Sequence, residues 1–193
     1  SEGIICLSAC LAGAIPRRIL NGDYSGAKAE ALELRDIFGE DNFFLEIQNH
    51  FLDDDKPANE GLIKLSQEIG APLVATNDAH YITRSDAKAH DVLLAIQTGS
   101  TVDDENRMRF ANDEFYLKNE EEMLALFPDH PEAIENSHKI AKRCDVEFKF
   151  GEYHLPEFIP PEGMNNSEYL RELCYEGLER RYGSDALEEG SVY

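Results

Sequence analysis

Asp78 and His80 stand two residues apart at the end of the apolar run Pro72-Leu73-Val74-Ala75-Thr76-Asn77. Residues two apart on an extended chain point the same way, so a carboxylate and an imidazole address one point beyond the carboxyl end of a strand. In βα-repeat folds that end is where catalytic sites are built. The pair reads as half of a metal site. Two earlier segments carry comparable chemistry: Gly3-Ile4-Ile5-Cys6-Leu7-Ser8-Ala9 runs into Cys10, and Asn42-Phe43-Phe44-Leu45-Glu46-Ile47-Gln48-Asn49 runs into His50. Thiolate, imidazole and carboxylate together suit zinc, or manganese where carboxylates dominate. Each residue also has a plainer account, since a cysteine at a strand end is commonly core and a DxH pair commonly bonds to itself.

What must position these residues is an order of strand, helix, strand, helix, strand, helix. Strands joined in this way run parallel and bring their carboxyl ends to one rim, where Cys10, His50, Asp78 and His80 would converge. The helical patterns cover Ala14 to Leu20 with Pro16 in the first turn, Asp23 to about Phe38 before Gly39, and Ala58 to Ile69 before Gly70. Leu52 to Pro57 reads as a polar loop. A further helix from Ser85 carries Ala89, Val92, Leu93 and Ile96 as its apolar stripe, with His90 beside it, and Gly99 ends it. Asn119 with Glu122 forms a capping box, Pro131 opens another helix, and a final one runs from about Ser167. Tyr153 to Gly163 is a Pro-punctuated connector. The predicted domains are 1–104 as a βα unit, 105–183 as a mostly helical extension, and 184–193 as an acidic tail.

The global balance narrows the function. A formal net charge of −21 argues against a broad grip on nucleic acid, which relies on Lys and Arg displacing counterions. Most of that acid reads as solvated helix surface. No apolar run approaches the roughly 20 residues of a membrane span. The four cysteines, at 6, 10, 144 and 174, form no CxxC pair, which points to a reducing, cytoplasmic setting. The opening Ser1-Glu2-Gly3 has neither Met nor a basic region, so a signal peptide is not expected and the chain reads as a piece of a larger protein. Gly-rich phosphate loops and GxSxG elbows are absent from the sequence.

Leu7-Ser8-Ala9-Cys10-Leu11, Ala75-Thr76-Asn77-Asp78-Ala79-His80-Tyr81 and Ala89-His90-Asp91-Val92-Leu93-Leu94-Ala95-Ile96-Gln97-Thr98-Gly99 closely resemble the alpha-subunit family of the bacterial replicative DNA polymerase III. Asp113-Glu114-Phe115-Tyr116-Leu117, Ile140-Ala141-Lys142-Arg143-Cys144 and Tyr169-Leu170-Arg171-Glu172-Leu173-Cys174 extend the similarity to about Gly183. The resemblance implies the second half of a polymerase and histidinol phosphatase (PHP) domain, a distorted βα barrel that binds divalent metals and cleaves phosphoesters, followed by helices leading toward the polymerase palm. Cys10, Asp78 and His80 match the family's ligand positions; His50 matches none. The family's amino-terminal HxH is absent from this sequence, and so are the polymerase's catalytic aspartates. No catalytic residue is therefore assigned.

Two functions from different classes follow. As an enzyme, the parent protein would use zinc or manganese at this rim to activate water against a phosphoester. As a scaffold, the domain would stabilise the polymerase and dock partners such as a proofreading exonuclease subunit, with DNA met through the rest of the alpha subunit. Either way the piece alone is expected to be inactive. The alternative identity is a stand-alone PHP-superfamily metal-dependent phosphoesterase, disfavoured by the helical continuation after Gly99.

Overall fold

The computed structural model of the chain describes residues 2–187. Contacts gather them into two units, one reaching Asp145 and one beginning at Val146.

The first unit is α/β. Its strands β1 (Cys6–Leu7), β2 (Phe43–Ile47) and β3 (Leu73–Ala75) form a parallel sheet in sequential order, with Cys6 opposite Phe43 and Leu45 opposite Leu73. Parallel neighbours require crossovers. Helices α1 (Ala14–Leu20) and α2 (Tyr24–Phe38) supply the first, and α3 (Asp55–Ile69) the second. Phe43, Phe44, Leu45 and Ile47 are all buried, as expected for a strand covered on both faces. Glu46 is tolerated among them because its carboxylate accepts hydrogen bonds from Gln48 Nε2, at 3.0 Å, and from Thr76 Oγ1. The core joins Phe43, Leu45 and Ile47 to Ile15, Ala27, Ala31, Leu62 and Leu65 of the helices. Local signals fix the helix ends: the Asp23 carboxylate accepts from Gly26 N–H at 2.9 Å, and Gly70, at φ +72°, stops α3.

Three departures from the sequence reading have identifiable causes. The strand expected over 3–10 is only Cys6–Leu7, because Ala9 turns left-handed at φ +66° and interrupts it before Cys10. Helix α3 begins at Asp55 rather than Ala58. There the buried Asp55 carboxylate accepts from the N–H groups of His50, at 2.7 Å, and Leu52, at 3.0 Å, which turns the supposed loop into a helix start with Pro57 in its first turn. Helix α4 (Ala87–Gln97) is rotated relative to its apolar stripe: Leu94 and Ala95 are buried, while Val92, Leu93 and Ile96 are 45%, 62% and 70% exposed. Its orientation follows the polar face instead. His90 packs on Phe110 at 5.0 Å, and Asp91 takes both amino groups of the Arg107 guanidinium.

Beyond residue 104 the first unit continues. Tyr81 bridges Tyr116 in parallel, with His80 N–H donating to Phe115 O at 2.8 Å and Leu117 N–H to Tyr81 O at 3.0 Å. Helix α5 (Glu120–Leu126) starts on the Asn119–Glu122 capping box, and α6 (Pro131–Arg143) packs on β3 with Ala133 buried. The division expected between 104 and 105 thus lies inside one compact unit.

The second unit holds the extended stretch from Val146 to Gly163 and helix α7 (Asn166–Tyr182), capped by Asn165, whose side chain accepts from Ser167 and Glu168 N–H. Phe158 stacks on Tyr169 at 5.8 Å. Residues Ser184–Leu187 make a 3-10 turn. The rest of the expected acidic tail, 188–193, and Ser1 lie outside the described residues. Cys6, Cys10, Cys144 and Cys174 are free thiols, and among the described residues no helix is long and apolar enough to cross a membrane.

Candidate metal centre

The loop after β3 carries the candidate pair Asp78 and His80. Asp78 adopts φ +44°, a left-handed conformation that Asp and Asn tolerate better than other L-residues. The turn brings Asp78 Oδ1 to 3.3 Å from His80 Nε2. That separation is long for a hydrogen bond. It matches the edge of a tetrahedral metal site, where two donors on bonds of about 2.05 Å lie about 3.3 Å apart. Both side chains are solvent-accessible. The pair therefore fits two positions of a metal's coordination sphere in chemistry and spacing.

Cys10 does not join them. It follows β1 and lines a narrow cleft with Glu46, Gln48 and Asn59, and the sheet order places β2 between it and the Asp78 loop. Among the described residues no three His, Cys, Asp or Glu side chains gather closely enough to hold a metal ion. This chain supplies a pair of donors and, apart from it, a thiol on the neighbouring part of the rim.

His50 is buried. A carbonyl can only accept, so the 2.8 Å contact between His50 Nε2 and Asn77 O fixes the imidazole as the Nε2–H tautomer. Its ring stacks on Phe115 at 4.2 Å. His50 braces the loop through this bond. His80 is framed by aromatic rings, 4.7 Å from Phe110 and 5.5 Å from His90. Burial, then the neighbouring His80, holds His90 below the ordinary histidine value.

Sequence reasoning passed over the residues that hold the loop. Asn77 donates from Nδ2 to Tyr116 O at 2.6 Å and accepts at Oδ1 from Lys118 Nζ at 3.2 Å. The Lys118 side chain is only 2% exposed. It also donates to Glu114 O, pairs with the Glu114 carboxylate at 3.2 Å and lies over the Tyr116 ring. Burial pushes Glu114 up, but Arg84 and Lys118 together outweigh it, so its carboxyl titrates below the ordinary value. Asn112 donates to His50 O at 2.6 Å. The sequence marked Asp113 to Leu117 as part of the family resemblance but carried no local sign of these contacts.

The remaining histidines are elsewhere. His130 pairs with Glu132, His138 lines an open groove between α5 and α6, and His154 faces Glu152 in the second unit.

Residues 1–50 match the PHP domain. Over 94% of its length the chain is 48% identical to the DNA polymerase III subunit alpha of Borreliella burgdorferi, covering 16% of that protein. It is 46% identical to the Thermus aquaticus subunit and 39% identical to that of Escherichia coli, each over 94% of this chain and 15% of the relative. The chain thus spans about a sixth of the length of these curated relatives.

Proposed function

We propose that this chain, 48% identical over 94% of its length to a DNA polymerase III subunit alpha, is a segment of a replicative DNA-directed DNA polymerase, working in the cytoplasm as part of that larger polypeptide. The observation that carries the reading is the identity sustained across 94% of the chain. In this reading the three-stranded sheet is one part of a PHP-type distorted barrel whose other strands come from elsewhere in the subunit. The residues after Asn119 lead toward the polymerase palm.

Within that whole domain, Asp78 and His80 contribute to a zinc or manganese centre completed by donors outside this chain, while Cys10 lies apart from them after β1. A metal held there would polarise a phosphoryl oxygen and lower the pKa of bound water. This chain's own part is to orient the donors: the left-handed turn at Asp78 aims the carboxylate at His80, and the His50 and Asn77 contacts hold the turn still. The segment serves as scaffold for the polymerase and for a proofreading exonuclease subunit. Its net charge of −21 leaves DNA contact to the remainder of the subunit.

The chain alone is catalytically silent, because a site short of ligands loses metal affinity steeply. The test is incubation of the purified chain with excess manganese or zinc and a generic phosphoester, with His80→Ala as control. No turnover is expected. Turnover abolished by His80→Ala would show a self-sufficient site and favour the stand-alone phosphoesterase.

A further inference from the structure

We propose that Asn77 is the positioning residue of the Asp78–His80 pair, anchoring their loop to the segment Glu114–Lys118. The inference rests on the reading of that pair as metal ligands. Four bonds meet at this one residue, the longest from its Nδ2 to Glu114 O at 3.4 Å. Its carbonyl accepts from His50 Nε2 at 2.8 Å, its Nδ2 donates to Tyr116 O at 2.6 Å, and its Oδ1 accepts from Lys118 Nζ at 3.2 Å. Three residues on, His80 N–H donates to Phe115 O at 2.8 Å.

Both ends of the loop are thereby tied to the same short stretch of chain. Between them lie only Asp78, held at φ +44°, and Ala79. A loop fixed at both ends over so few residues has little freedom left, so the donors are ordered before any ligand arrives. The chemistry requires an amide at position 77. A carboxylate could still receive Lys118, but it would place an acceptor against the Tyr116 carbonyl where a donor now stands. An aliphatic residue would lose both contacts and leave the buried Lys118 short of an acceptor.

Asn77→Asp changes one functional group and almost no volume. Two readouts on the intact chain separate the possibilities: hydrogen exchange at the His80 amide, and Zn2+ titration followed by the His80 ring signals in long-range proton–nitrogen spectra. The expected result is at least about tenfold faster exchange at His80, with the Leu45 amide unchanged, and a Zn2+ midpoint weakened about tenfold, the low end of the loss seen when a ligand's support is removed. Lys118→Met attacks the same anchor from the other side, should Asn77→Asp fail to fold, and is expected to move both readouts in the same direction. Unchanged His80 protection in the folded variant overturns the anchor. Faster exchange with an unchanged Zn2+ midpoint overturns the positioning role, leaving Asn77 as loop structure only. If the wild-type His80 signals do not respond to Zn2+ even at millimolar concentration, where two donors alone still bind weakly, the ligand reading itself fails, and the exchange measurement still decides whether the anchor exists.

Discussion

Two five-residue runs of this chain, Phe43-Phe44-Leu45-Glu46-Ile47 and Val146-Glu147-Phe148-Lys149-Phe150, are both rich in strand formers and meet opposite fates. The first is β2, flanked on both sides by parallel partners and buried under helices. Among the described residues the second pairs with no strand of its own unit, and Phe148 and Phe150 are 78% and 92% exposed. The difference teaches that strand propensity expresses itself only where neighbours supply hydrogen bonds and cover. Each unit must therefore be judged by what it can bury. The first has a core of its own; helix α7 in the second has no buried residue.

Truncating a side chain in each run gives the widest contrast. Leu45→Ala is expected to lower the unfolding free energy of the first unit by about 3 kcal/mol, since the cavity adds to the lost transfer energy. Phe150→Ala should stay within about 0.5 kcal/mol. Urea denaturation of both variants measures this, and a comparable loss at Phe150 would break the comparison. Next in size is Asp55→Ala, which strips the acceptor from the His50 and Leu52 N–H groups. It should cost about 2 kcal/mol, seen in the same denaturation experiment. Conversely, Phe51 lies in the well-packed unit yet sits at φ +59° and 64% exposed. Phe51→Gly should relieve the left-handed strain and raise stability by about 0.5 kcal/mol, after the entropic cost of glycine; a lower thermal midpoint would show that the ring is held by contacts that matter more than its backbone.

The smallest effect concerns acid. The hydrogen bond from Arg107, foremost, depresses the Asp91 carboxyl below its ordinary value of 3.8. A depressed acid contributes stability that is fully present above its unfolded value and is lost as pH falls through its folded one. The thermal midpoints of wild type and Asp91→Asn are therefore expected to differ at neutral pH and to converge below about pH 4. A gap that persists to pH 2 would assign the contact to hydrogen-bond geometry rather than charge.

Much of this architecture was legible in the residues. Asp23, Gly70 and the Asn119–Glu122 pair are local signals, and a cap acts on the next few N–H groups whatever the rest of the chain does. For Asp78 and His80 only the spacing was legible: the extended chain expected there is a left-handed turn at Asp78, held by contacts from distant residues. What failed were choices made by distant partners. Helix α4 was read by its apolar stripe, but Arg107 and Phe110 select its polar side. Cys10 was placed with Asp78 by assuming a strand that ran straight through Ala9, and one left-handed residue ended it. The bracing by Asn112 to Lys118 could not be foreseen, because neither side of a contact between residues some 40 apart, such as Asn77 and Lys118, carries a local trace of the other.

Helix α6 also bears on how the sheet behaves toward other chains. Pro72 O and Thr76 N–H face β2, so the alternation of a parallel ladder turns Leu73 O outward, to the unpaired side of β3. Asn136 of α6 fills that position with a hydrogen bond of 2.8 Å. A bare outer edge is a template on which a foreign strand can add, and proteins protect such edges by covering them. Here a side-chain amide occupies the acceptor that an incoming strand would need first. The same helix that packs on β3 therefore also guards that edge of the sheet against a stranger.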